Sequence, residues 1–183
     1  MLDISAIKQH QEQAERAASH DALTGLPNRM LLLDRLQQAI ALSQRHRTVL
    51  AVCFIDLDGF KAINDRHGHA AGDRLLQTVA ARLAAGVRAN DTVARLGGDE
   101  FVLLLTELHE RAECELVLSR IREDVHAPVD LGAGRTGRVS ASIGVAFCPH
   151  DGSDADRLLT IADEAMYRAK QAGRPARQAA ALA

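Results

Sequence analysis

The chain has 183 residues and a mass of 19.7 kDa, the size of one domain with a short appendage. Hydrophobic residues make up 47% and charged residues 25%, enough to bury a core without disulfides or structural metal. With 22 Lys and Arg against 24 Asp and Glu, and only 3% aromatics, the composition excludes a bulk electrostatic grip on nucleic acid and a base-stacking platform. Cys53, Cys114 and Cys148 form no CxxC pair, which excludes a zinc knuckle or disulfide scaffold and fits a reducing cytoplasm. The longest apolar runs, 50–55 and 101–105, are too short to cross a bilayer, and the first residues lack a secretion signal. A cytoplasmic domain with no direct membrane contact and no nucleic-acid partner is expected.

Residues 1–20 are polar and alanine-rich and read as a helical linker that buries little. Next comes Asp21-Ala-Leu-Thr-Gly-Leu-Pro-Asn-Arg29, dense in turn and cap residues, with Asn28 placed to cap a helix carrying Leu32, Leu33, Leu36 and Ile40. The apolar run 48–55 reads as a buried central strand, and 69–85 as a helix with Leu75, Leu76, Val79 and Leu83 on one face. Residues 92–96 and 101–105 read as strands around the glycine hairpin Gly97-Gly98-Asp99-Glu100. A helix over 111–125, a hairpin tip over 131–137 and a strand over 139–147 follow. Ser153-Asp-Ala-Asp156 has the form of a capping box for a last helix, which Gly173 and Pro175 end. Residues 176–183 read as a disordered tail. The order of elements predicts an α/β or α+β domain, helices packed on one mixed or antiparallel sheet.

Two acidic clusters stand out. Asp56-Leu-Asp58 is placed just past the apolar strand, and Asp99-Glu100 on the hairpin tip. If the strands are neighbours, their carboxylates converge, which is costly unless a cation sits between them; magnesium suits such a set, with substrate phosphates completing its shell. Taken singly, Asp58 could cap a short helix starting near Gly59 and Asp99 could be a turn residue. The stretch 64–73 is polar, and an Asn amide with an Asp carboxylate can satisfy the edges of a guanine; loop polarity is the plain alternative. Lys170 and Arg174 share a helix face and could clamp a polyphosphate or be solvated cations at a helix end.

Arg95-Leu-Gly-Gly-Asp-Glu-Phe101 spells GGDEF, and the chain resembles the GGDEF family of diguanylate cyclases over residues 21–174. The motifs that carry the likeness run in the family's order. They are Asp21-x-Leu-Thr-Gly-Leu-Pro-Asn-Arg29, Asp56-Leu-Asp-Gly-Phe-Lys61 with Asn64-Asp65, Gly68-His69 with Gly72-Asp73, the hairpin, Ser142-Ile-Gly-Val145 and Ala165-Met-Tyr-Arg-Ala-Lys170. The resemblance implies a GGDEF domain over 21–175 with a ferredoxin-like core shared with nucleotidyl cyclases. It implies Mg²⁺, or Mn²⁺, on Asp56, Asp99, Glu100 and the Leu57 carbonyl, with Asp99 as proton acceptor. Asn64 and Asp73 would read guanine and His69 would contact the nucleotide. Gly97 and Gly98 would give the substrate room, and Lys61, Lys170 and Arg174, with amides near Gly59 and Phe60, would bind phosphates.

The implied reaction joins two GTP, one per protomer of a homodimer, into cyclic di-GMP and two pyrophosphates. Arg88-Ala-Asn-Asp91 matches the family's RxxD product-inhibition site; its plain alternative is an ion pair, and either Arg120 or Arg122 could add a second arginine. Competing readings are a catalytically silent GGDEF domain that binds GTP or cyclic di-GMP as a regulatory module, and a cyclase of relaxed base choice. The intact motif favours the enzyme, and Asp73 matches the guanine-selective form of the family. Asp3-Ile-Ser5 is similar to the end of a PAS-type sensor, and Leu31-Leu-Leu-Asp-Arg-Leu36 to GGDEF domains followed by an EAL phosphodiesterase domain. An upstream sensor and a downstream EAL domain are therefore expected as partners.

Overall fold

The computed structural model describes Lys8 and residues 16–173. Most of the expected linker over 1–20, the tail over 176–183 and Arg174 lie outside the described residues; Lys8 and residues 16–19 are helical. The elements in chain order are α1 (Arg29–His46), β1 (Val49–Asp58), α2 (Phe60–His67), α3 (His69–Ala85), β2 (Thr92–Gly97) and β3 (Glu100–Leu108). They continue as α4 (Arg111–His126), β4 (Val129–Gly132), β5 (Arg135–Gly137), β6 (Ser140–Cys148) and α5 (Ala155–Ala172).

Four strands form an antiparallel sheet in the order β2-β3-β1-β6, and β4-β5 is a separate hairpin. Strand β3 thus lies between β1 and β2, and β1 between β3 and β6, the split βαβ arrangement of a ferredoxin-like core. The central position of β1 explains its unbroken apolar run, because both faces are covered. Ala51, Cys53, Ile55 and Leu57 face α3 and α4, whereas Leu50, Val52 and Phe54 face α1 and α5. The sulfurs of Cys53 and Cys114 meet at 4.0 Å in the first of these cores as free, buried thiols.

Several elements differ from the sequence reading. Strand β1 runs on to Asp58, so the acidic cluster lies inside the strand rather than past it: Asp56 pairs with Ser142, Leu57 with Ala141 and Asp58 with Ser140. Helix α2 replaces part of the expected polar loop and begins beside Gly59, where a short helix was one reading; it has no fully buried residue and rests on the core through the half-buried Phe60 and Ile63. The cap of α5 is Asp154, whose carboxylate accepts from the Arg157 N–H at 2.8 Å, so the expected Ser153 box does not form. Asn28 caps α1 as read, accepting from the N–H groups of Met30 and Leu31.

One close approach positions the site. A Cβ built on Gly144 of β6 would lie 2.0 Å from the Met166 nitrogen and 2.1 Å from the Ala162 oxygen, so the backbone of α5 rests directly on β6. Lys170, one turn beyond Met166 and on its face, is thereby aimed at the end of β1.

Candidate active site

The end of β1 and the glycine hairpin are joined through backbone. Asp56 lies opposite Glu100 in the β1–β3 register, and the Leu57 N–H donates to the Asp99 carbonyl at 3.2 Å. Gly98 adopts φ +50 and Gly97 φ +144, conformations that disfavour a side chain, with open space beside both. Arg95 holds this turn in place. Its Nε and Nη2 donate to the Gly98 carbonyl at 3.1 and 2.8 Å, while Nη1 reaches both carboxylate oxygens of Asp21 at 2.9 and 3.0 Å. Thr24 completes the clamp, donating to Asp21 from its N–H at 2.9 Å and its hydroxyl at 2.6 Å. Burial alone would raise the Asp21 carboxyl, but the hydrogen bonds from Thr24 and Arg95 outweigh it and hold the carboxyl below its usual range. The structural role of Arg95 and Asp21 was not visible in the sequence, although both sit in quoted motifs; an arginine two residues before a glycine pair was the available signal.

The charges near the hairpin are unevenly matched. Lys170 Nζ donates to Asp56 Oδ1 at 2.5 Å, and the Ser142 hydroxyl donates to Asp58 Oδ2 at 2.7 Å. Burial followed by the charge of Asp56 pushes the Asp99 carboxyl up. Burial, then Asp163 and Asp56, does the same to Glu100. Burial would lower Lys170, but its bond to Asp56 and the charges of Asp56, Asp58 and Asp99 hold its ammonium above the usual value. Among the described residues, no three His, Cys, Asp or Glu side chains close into a metal cage. Carboxylates such as Asp99 and Glu100, raised by burial and by neighbouring negative charge, nevertheless fit a hard divalent cation that takes one or two of them and fills its shell from substrate phosphate.

A cavity of about 610 Å³ opens beside this cluster, lined by Gly59 and the first residues of α2, Phe60 and Lys61, with Asp99 of the hairpin, Lys170 of α5 and Arg122 of α4. The fold therefore brings Lys61, Lys170 and the Gly59–Phe60 backbone, though not the undescribed Arg174, to the Asp99 carboxylate. Asn64, His69 and Asp73 do not line this cavity; they lie on the α2–α3 unit that begins at its rim, with Asn64 half-buried and the other two exposed.

A second cavity, about 680 Å³, lies at the opposite end of β2 from the glycines. It gathers Arg88, Asp91 and Arg120, while Arg122 faces the first cavity, so geometry separates the two arginines that sequence left open. The ion pair that was the plain alternative for Arg88 and Asp91 does not form; a turn takes its place, in which Asp91 accepts from the Arg88 N–H at 2.9 Å and from the Thr106 N–H at 2.9 Å. The Arg88 side chain is exposed; across the cavity the N–H groups of His109 and Glu110 lower the Glu113 carboxyl, with a smaller contribution from the Arg88 charge.

The family described as "Diguanylate cyclase, GGDEF domain" matches residues 18–176. The chain is 52% identical over 157 residues to the bifunctional diguanylate cyclase/cyclic di-GMP phosphodiesterase MucR of Pseudomonas aeruginosa, covering 86% of this chain and 23% of that protein. It is 46% identical over 165 residues to the diguanylate cyclase TpbB of the same species, covering 90% of this chain and 38% of that protein. The chain thus spans 23% and 38% of the length of these relatives. The solved GGDEF domain of TpbB superposes with a TM-score of 0.82 over 85% of this chain and 90% of that one, at 46% identity. A second solved structure, the coiled coil and GGDEF domain of DgcB from Caulobacter crescentus in complex with cyclic di-GMP, gives a TM-score of 0.83 at 28% identity, over 93% of this chain and 90% of that one. Sheet order, carboxylate hairpin and sequence match agree, and the chain belongs to the GGDEF-domain family of diguanylate cyclases.

Proposed function

We propose that this domain condenses two GTP molecules into cyclic di-GMP, releasing two pyrophosphates, as a homodimer with one GTP on each protomer. The observation that carries this reading is the convergence of Asp56, Asp99 and Lys170 at the end of β1, beside a cavity that also holds Lys61 and the start of α2. Asp56, Asp99 and the Leu57 carbonyl, with Glu100, would hold Mg²⁺ or Mn²⁺, which would supply charge neutralisation on the phosphoryl oxygens and acidify the attacking hydroxyl.

The protein's own groups do the rest. Lys61, Lys170 and Arg174 attract the triphosphate, and the free N–H groups at the start of α2 add to them. Lys170 can exchange its bond to Asp56 for a phosphate oxygen when that carboxylate is otherwise neutralised. Asn64 and Asp73 read guanine, with His69 against the nucleotide. The 3′-oxygen of one GTP bonds to the α-phosphorus of the other, the bond to pyrophosphate breaks, and the hydroxyl proton passes to Asp99. The same step in the other direction closes the ring. Neither half-site completes the ring alone, so dimerisation is part of the mechanism. Arg88 and Arg120 offer the cations of the product-inhibition site, and Asp91 holds the turn that carries Arg88.

The test is incubation with GTP and Mg²⁺ followed by chromatographic detection of cyclic di-GMP, over a dilution series. Specific activity should rise with enzyme concentration. A folded protein that binds GTP and makes no product is instead a regulatory binding module. Flat specific activity from a sedimenting monomer sinks the two-half-site mechanism. No helix among the described residues is long and apolar enough to cross a membrane.

A further inference from the structure

We infer that Gly72 is a positioning residue for base selection: its missing side chain seats Asn64 against α3 and locks the Asn64 amide with its oxygen inward. The inference rests on the reading that Asn64 contacts the base.

Gly72 is buried in the first turns of α3, where alanine would be the better helix former. A Cβ at this position would lie 1.9 Å from Asn64 Oδ1, 2.9 Å from Cγ and 3.3 Å from Nδ2. With Asn64 where it is, glycine alone fits. The same Oδ1 is buried and has no hydrogen-bond partner. Turning the amide over would be worse, because it would bury an NH₂ group, two donors, against a carbon that offers no acceptor. An oxygen facing the Cα hydrogens of Gly72 keeps at least a weak C–H···O contact. The oxygen therefore stays inside, and the NH₂ is the end left for a ligand. A fixed donor suits the O6 acceptor of guanine and opposes the 6-amino donor of adenine. A freely turning amide would offer adenine its oxygen; the contact with Gly72 removes that option. Specificity then comes from a rotation that packing forbids, with Asp73 accepting from the base beside it.

The experiment uses Asn64→Ala, Gly72→Ala and the double variant, with thermal melts and equilibrium binding of 3′-deoxy-GTP and 3′-deoxy-ATP, which lack the attacking hydroxyl. Gly72→Ala should weaken 3′-deoxy-GTP binding by about tenfold or more and narrow the preference over 3′-deoxy-ATP, as Asn64→Ala does. The double variant should bind no more weakly than Asn64→Ala and melt no lower, because the clash is gone and alanine favours the helix. Wild-type binding by Gly72→Ala overturns the inference. So does a further tenfold loss in the double variant, or a double variant that fails to fold, since Gly72 would then serve packing unrelated to Asn64. If Asn64→Ala itself binds 3′-deoxy-GTP like wild type, the base-reading role assigned to Asn64 fails and the inference falls with it.

Discussion

The two ends of β2 treat their carboxylates in opposite ways. At the hairpin end, Asp56 is buried with Lys170 on one oxygen, while Asp99 and Glu100 are raised by burial and by neighbouring negative charge. At the other end, Asp91 spends both oxygens on backbone, receiving the N–H groups of Arg88 and Thr106, and it is the arginines that are left over. One end has carboxylates in search of a cation; the other has cations in search of an anion. The difference teaches that an acidic residue in a motif can be ligand-seeking or structural, and its hydrogen-bond partners decide which. Each end can be perturbed without touching the other.

The largest effect is expected from Asp99→Asn. Loss of the proposed proton acceptor and metal carboxylate should cut cyclisation by about 10²-fold or more, while the variant melts no lower than wild type without metal. The sign follows from linkage. A carboxyl whose folded pKa is raised favours the folded state most while it is protonated. Its contribution to stability is lost as pH rises from the ordinary aspartate range through the raised value. The melting temperature of Asp99→Asn relative to wild type should therefore climb across that window and level off above it. A variant that melts well below wild type at neutral pH would mean that Asp99 is structural like Asp91, and the contrast between the two ends would collapse.

Asp21→Ala comes next, because it attacks the clamp rather than the chemistry. The variant leaves the guanidinium of Arg95, whose side chain is only 10% exposed, without its carboxylate, and should cost about 1–3 kcal/mol of stability. The folded pKa of Asp21 is depressed, so its contribution is present above the unfolded value and lost as pH falls through the folded one. The gap between variant and wild type, measured by denaturant titration, should thus close in acid. Turnover should drop too, since Arg95 would hold the Gly98 carbonyl from an unanchored side chain. Unchanged stability would show that the hairpin keeps its shape through Gly97 and Gly98 alone.

Much of this was legible in the sequence because the strong signals are apolar. The run that became β1, the two strands flanking the glycines and the stripe on α3 all follow from periodicity, and they fix the sheet that gathers Asp56, Asp99 and Lys170. Two kinds of feature were not legible. The extent of helix α2 is one, since only the half-buried Phe60 and Ile63 mark its face, too few to delimit it, and the extension of β1 to Asp58 depends on Ser140 and Ser142 arriving from a strand more than eighty residues away. The Asp21–Arg95 clamp spans 74 residues, and no local pattern announces a pair at that separation. The choice between Arg120 and Arg122 is likewise geometric, since two residues on a helix point in different directions.

That choice gives the smallest effect and the sharpest comparison. Cyclic di-GMP carries two phosphates and two guanine edges, so Arg88 and Arg120, in one cavity, should each offer charge-assisted hydrogen bonds worth about 1.5–3 kcal/mol when buried. Arg88→Ala should weaken product binding by about tenfold or more while initial GTP turnover stays near wild type, because Arg88 sits at the far end of β2 from the hairpin. Arg120→Ala should act in the same direction but less cleanly, since its guanidinium also holds the Gly86 carbonyl at 2.5 Å and the cavity wall would loosen with it. Progress curves separate the cases. Wild type should stall as product accumulates, and Arg88→Ala and Arg120→Ala should run on. Arg122→Ala, whose side chain lines the cavity beside Asp99, should stall at the wild-type product concentration whatever happens to its initial rate. A curve for Arg88→Ala that stalls with wild type would leave Arg88-x-x-Asp91 as a backbone turn and nothing more, and the two ends of β2 would no longer be two sites.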